Sequence, residues 1–182
     1  MKVIDLVFYV CGGISSVAWV VLAIWSVYSR LRCITMAMLP NMVKDLSYQL
    51  TQAKYQPDVL LGIGRGGIML AGLLSEDLGT IPIAVLDRRE IRSATGYRTD
   101  VEIRDNYGVE LHGKNVLLVS AECNRGITFI KARELATKKN VADVRTLSLY
   151  SLKASAVHPD FSVREYRKAP KLGWKRLERD NQ

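Results

Sequence analysis

The chain has 182 residues, a net charge of +8 and 48% apolar residues, which bounds it to one domain of moderate size with a real core. Its three cysteines, Cys11, Cys33 and Cys123, have neither metal spacing nor a pairing pattern, which excludes a disulfide scaffold and fits a reducing cytoplasm. No basic patch with interleaved aromatics stands out, so the positive charge does not imply a nucleic-acid partner.

The first element is an uncharged stretch over residues 6–28. Its length is close to the ~20 residues that span a bilayer. A cleaved signal peptide is the rival reading. Asp5 before the stretch, Arg30 and Arg32 after it, and the lack of a small-residue cleavage site favour a retained anchor over residues 1–32. Arg30 and Arg32 outweigh the N-terminal flank, so the positive-inside rule places the C-terminal domain in the cytoplasm. Gly12 and Ser16 are one helical turn apart and could let two such helices pack closely. The basic tail, residues 166–182, could rest on anionic headgroups or simply be solvated.

Residues 33–40 read as a linker ending at Pro40, and the domain proper as 41–165. Helical spacing over 41–55 is followed by a buried-strand run at 58–63, a tight glycine loop at 64–67 and a helix over 68–78 capped by Gly79. Residues 82–86 read as a second buried strand. The charged stretch 87–110 reads as a two-stranded flap or hood. Residues 114–119, 128–139 and 143–150 read as strand, helix and strand. Strands alternating with helices predict an α/β fold with a parallel sheet, whose ligands bind at the carboxyl ends of the strands.

Two loops fall at those ends. Gly62, Gly64 and Gly67 form a G-x-G-x-x-G pattern with Asp87 twenty residues beyond the last glycine, the spacing of a dinucleotide fingerprint. Glycines admit a phosphate close to the backbone, N–H groups at a helix start face the anion, and Arg65 adds a fork of donors. The second loop ends the run VLLVSAECNRGIT, residues 116–128.

Together these segments resemble type I phosphoribosyltransferases, in particular the xanthine and hypoxanthine-guanine enzymes. The carriers are PDVLLGIGRGGIMLAGLLSEDLG at 57–79, the 116–128 run, and DVRTLSLY followed by HPDF between 143 and 161. The resemblance implies a parallel-sheet fold with a small hood, here preceded by one transmembrane helix. It implies that Gly64, Arg65, Gly66 and Gly67 hold one phosphate group, and that Asn124, Arg125, Gly126, Ile127 and Thr128 hold another. It also implies a nucleotide or phosphoribosyl ligand such as phosphoribosyl pyrophosphate (PRPP), with Mg²⁺ as a possible companion of that ligand, and a homo-oligomer.

The chain departs from that pattern where the family carries two adjacent carboxylates and a third acid. Those positions hold Ser120, Ala121 and Asn124. Ser120 keeps a hydroxyl for a ribose contact, and Glu122 is the one nearby carboxylate that could serve catalysis. No protein metal ligand set is expected. Lys153 and Trp174 are candidate contacts to a base, and Tyr97 is a further stacking candidate in the hood. Three readings follow. The first is a membrane-anchored binding protein with weak or absent transferase activity, acting as a sensor or effector, such as in bacterial defence. The second is a working purine-type transferase that depends on Glu122. The third is a docking or dimerisation scaffold.

Overall fold

The computed structural model describes residues 19–21, 33–92, 98–106 and 108–174. The chain divides into two units, Met1–Met36 with Pro170–Gln182, and Ala37–Ala169. In the first unit β1 (Cys33–Ile34) pairs in parallel with β8 (Lys171–Leu172), so residues read as linker and tail each contribute a short strand. The expected anchor over 6–28 lies outside the described residues except for 19–21. Among the described residues no helix is long and apolar enough to cross a membrane.

The second unit is built on a six-stranded sheet in the order β4-β3-β2-β5-β6-β7. Its strands are β2 (Val59–Ile63), β3 (Ile83–Arg92), β4 (Arg98–Asn106), β5 (Asn115–Cys123), β6 (Asp143–Leu152) and β7 (Phe161–Tyr166). All neighbours run parallel except β3 and β4. The central strand β2, VLLGI, is buried at every residue, as expected of a parallel strand covered on both faces.

Helix α1 (Leu39–Gln52) opens with Pro40 in its first turn, where a missing N–H costs nothing, and buries Leu39, Met42, Val43, Leu46 and Leu50. Helix α2 (Gly64–Asp77) begins directly after β2, so the expected tight loop at 64–67 is in fact the first turn of the helix. Gly64 makes this abrupt junction with φ +62°, a conformation that L side chains rarely adopt. At the other end Gly79 has φ +98° and the Thr80 amide donates to the Ser75 carbonyl, the closing bond of a glycine-terminated helix. Helix α2 covers β2, β3 and β5.

Helix α3 (Ile127–Thr137) covers β4, β5 and β6. Its Phe129 and Ala132 close a core cluster with Val59, Leu61, Val116 and Leu118. The charged stretch expected to form a two-stranded flap or hood does lie in two antiparallel strands, and these are continuous with the sheet. β3 runs unbroken from its buried half to Arg92, and β4 pairs with it from Asn106 back to Arg98. Backbone pairing along the whole length of β3 outweighs the change of composition at Asp87.

Candidate functional site

The carboxyl ends of β2, β5 and β6 and the Arg88 position within β3 come together in one place. The β2–α2 junction supplies the first wall. A Cβ added at Gly62 would stand 2.8 Å from the Ile68 Cα, so the strand and its own helix are in backbone contact there. A Cβ added at Gly67 would collide with the Val119 carbonyl oxygen, so α2 rests on the backbone of β5. The three glycines of the pattern thus have separate duties: Gly62 and Gly67 allow close packing and Gly64 makes the turn. Helix α2 starts with no side-chain cap and no acid in its first turn, leaving its leading N–H groups to an incoming acceptor. Arg65 stands exposed on that turn.

The second wall is the β5–α3 junction. Gly126 is the N-cap residue of α3, with φ +79°, and again the helix has no side-chain cap and no first-turn acid. A Cβ at Gly126 would meet the Cβ and carbonyl oxygen of Val157, each at 2.8 Å. The loop 153–160 therefore backs directly onto this junction. It is held there by Cys123, whose thiol donates to the Val157 carbonyl at 3.3 Å, while within the loop the Ser155 hydroxyl donates to the same oxygen at 2.7 Å. Burial pushes the Cys123 thiol above its ordinary range, keeping it a neutral donor. Asp160 pins the far end of the loop. Its Oδ2 accepts from the Thr146 amide and hydroxyl, both at 2.7 Å, and from Arg133 at 3.1 Å.

Between the walls sits Glu122, with its side chain 12% exposed. Its Oε2 accepts a hydrogen bond from the Tyr150 hydroxyl at 3.0 Å, and its Oε1 lies 3.7 Å from the Arg88 guanidinium. Tyr150 also lies 3.4 Å from Asn124 Oδ1 and is packed edge-on against Tyr166. Its hydroxyl is held well above the ordinary phenol range, first by burial and then by the Glu122 charge. Arg88 comes from β3 and passes over the Gly64 turn, with its Cβ 3.6 Å and its Nε 3.9 Å from where a Gly64 Cβ would be. One guanidinium thus bridges the first junction and the carboxylate of the second strand.

The expected site residues are only partly brought together. Gly64, Arg65, Gly66 and Gly67 form the start of α2, and Asn124, Arg125 and Gly126 form the turn into α3. Arg125 and Ile127 are exposed, and Thr128 is half-buried on the first turn of α3. Ser120 is 2% exposed and its hydroxyl donates to the Glu122 carbonyl at 3.1 Å, which spends its donor on the backbone. Ala121 is buried. Lys153 is exposed just beyond β6. Trp174 belongs to the first unit, and Tyr97 lies outside the described residues. Arg88 and Tyr150 are the residues that sequence reading missed. Tyr150 carried one signal: it stands at the end of the run expected to form the strand over 143–150.

The result is an α/β protein with a mostly parallel sheet and two uncapped helix starts at the carboxyl ends of adjacent strands. The chain belongs to the phosphoribosyl transferase domain family, whose model matches residues 37–179. This sets aside the dinucleotide alternative. Among solved structures, a purine phosphoribosyltransferase from Pyrococcus horikoshii OT3 is similar at 26% identity and a TM-score of 0.68, covering 78% of this chain and 91% of that one. A hypoxanthine phosphoribosyltransferase from Staphylococcus aureus is similar at 22% identity and a TM-score of 0.61, covering 72% and 74%. A protein from Neisseria gonorrhoeae solved with bound ppGpp is similar at 24% identity and a TM-score of 0.66, covering 81% and 90%. No curated protein matches the chain at a significant level.

Proposed function

We propose that the protein binds a nucleotide or phosphoribosyl compound at the two helix starts, with little or no transferase turnover, and acts as a membrane-anchored sensor or effector. The observation that carries this reading is a contrast at one strand end. The phosphate-facing junctions at Gly64 and Gly126 keep the positive φ angles and uncapped helix starts that an anion needs. The positions where active relatives resembling this chain carry paired acids hold a buried Ser120 and a buried Ala121. Transfer at a sugar carbon depends on charges aimed at the developing positive charge. Binding of a phosphate does not. The anchor rests on the uncharged stretch 6–28, and Trp19, Val20 and Val21 are consistent with it, being helical and exposed at 72%, 58% and 58%.

The test uses the full chain in detergent micelles. Calorimetric titration with GMP, IMP, XMP, ppGpp and PRPP reports binding, and a coupled pyrophosphate assay with added purine bases reports turnover. Binding without pyrophosphate release is the expected result. Carbonate extraction of membranes from expressing cells checks the anchor, which predicts that the chain stays in the pellet.

One observation favours a second reading, a working transferase. Glu122 is a carboxylate held at the site by Tyr150 and Arg88, on the strand that precedes the phosphate junction. Pyrophosphate release that is lost in Glu122→Gln would establish that reading in place of the first.

A further inference from the structure

We propose that the site takes its phosphate ligand without a divalent cation, with the Arg88 charge standing where a metal would otherwise be held, so that the ligand is a nucleoside phosphate free of metal and not a magnesium complex of a sugar pyrophosphate. The inference rests on the phosphate-binding reading above and concerns the donor set at the strand end. A magnesium ion needs oxygen ligands in near-octahedral geometry, usually one or two carboxylates completed by water and phosphate. The oxygens at the end of β5 are committed elsewhere. Glu122 Oε2 accepts from Tyr150, and Oε1 faces the Arg88 guanidinium at 3.7 Å. The Ser120 hydroxyl is turned to the Glu122 carbonyl, and Ala121 offers no donor atom. Asn124 Oδ1 stands 3.4 Å from the Tyr150 hydroxyl.

A cation bound to Glu122 would have to share the carboxylate with Arg88, two like charges competing for one oxygen in a site where the Arg88 and Glu122 side chains are only 19% and 12% exposed. Among the described residues no group of three or more His, Cys, Asp or Glu side chains could hold a metal ion. The residues present therefore do not fit the magnesium that the family resemblance implies. They fit a different solution. A guanidinium is charged at every physiological pH and matches phosphate oxygens through a planar fork of donors. Arg88 lies across the Gly64 turn, while Arg65 and Arg125 flank the two helix starts. Fixed positive charge of this kind neutralises a nucleotide phosphate without a metal.

Two measurements on the full chain in detergent decide the matter. The first is titration with GMP and ppGpp in excess magnesium and in excess EDTA. The expected result is a Kd that changes by less than about twofold, and a tenfold or greater gain with magnesium overturns the proposal. The second needs no nucleotide: manganese titration followed by electron paramagnetic resonance. The expected result is no Glu122-dependent manganese signal in the natural chain and the appearance of one in Arg88→Gln, lost again when Glu122→Gln is added. A Glu122-dependent signal in the natural chain, or none in Arg88→Gln, overturns the proposal. If no nucleotide binds in either buffer, the phosphate-binding reading fails on its own, and the manganese result still decides whether Arg88 occupies the metal's place.

Discussion

The Tyr150 hydroxyl donates to Glu122 Oε2 at 3.0 Å, across a register position that sets the two residues opposite each other on β6 and β5. The pair joins β5 to its neighbour by a part-buried hydrogen bond to a charged acceptor, and such bonds contribute about 1.5–3 kcal/mol.

This bond and its surroundings set an alkaline limit on stability. Burial raises the Tyr150 and Tyr55 hydroxyls above the ordinary value of 10.0. A group with a raised pKa in the folded state holds its proton longer there than in the unfolded chain. Its contribution is thus complete below about pH 10 and is lost as pH rises beyond it, at up to about 1.4 kcal/mol per pH unit for each tyrosine. Urea unfolding at about pH 9 and about pH 11 is expected to show the loss. Tyr150→Phe and Tyr55→Phe are each expected to flatten it, while lowering stability at neutral pH. An equal pH slope in the Phe variants would refute the assignment.

Three glycine replacements separate packing from backbone freedom. Gly67→Ala drives a methyl group into the Val119 carbonyl, and a loss of about 2–3 kcal/mol or failure to fold is expected. Gly126→Ala meets both a φ of +79° and Val157, with an expected loss of at least about 1–2 kcal/mol. Gly72, inside α2, has nothing within 4 Å of an added Cβ, so Gly72→Ala is expected to stabilise by about 0.5–1 kcal/mol. Thermal unfolding of the three variants orders them.

Asp160 earned attention in the sequence as part of a family segment, and the structure gives it a holding role. Asp160→Ala leaves the Thr146 amide and hydroxyl without their acceptor and is expected to cost about 1–3 kcal/mol. Arg133→Ala is expected to cost less than about 1 kcal/mol, since that ion pair is 49% and 40% exposed. Denaturant midpoints compare the two, and equal losses would show that the ion pair, not the backbone contact, carries the loop.

Under the proposed function, Arg65→Ala and Arg125→Ala are each expected to weaken nucleotide binding by roughly tenfold and to reduce its salt dependence. Arg65→Lys is expected to recover only part of the loss, since a point charge does not reproduce the guanidinium fork. Calorimetry at two salt concentrations reads the effect. Unaltered affinity in both alanine variants would remove these helix starts from the site.

The sequence revealed those parts of the fold whose physics is local. Pro40 marked the start of α1, the apolar run at 58–63 became β2, and Gly79 ended α2 with a positive φ. The misreadings occurred where pairing with distant strands decides the structure. Residues 120–123 read as loop because Ser120 and Glu122 are polar, yet β5 continues through them by pairing with β6 up to Ser151. β7, FSVREY, was missed because only Phe161 is buried along it, as suits an edge strand. The two strand–helix junctions were legible from their glycines, Gly64 and Gly126. Arg88 and Tyr150 were not, because their meeting with Glu122 depends on which strands are neighbours, and no spacing along the chain encodes that.

The contact between Gly67 and the backbone at Val119 and Ser120 has a mechanical consequence. With no side chain between α2 and β5 at Gly67, the two helix starts are held together by backbone contact and have little room to slide. Under the proposed function, a captured ligand would be measured against that span as against a gauge block. A sensor of the kind proposed would then have to take up any change of shape elsewhere, in the β3–β4 hairpin that carries Arg88 or in the loop behind Gly126.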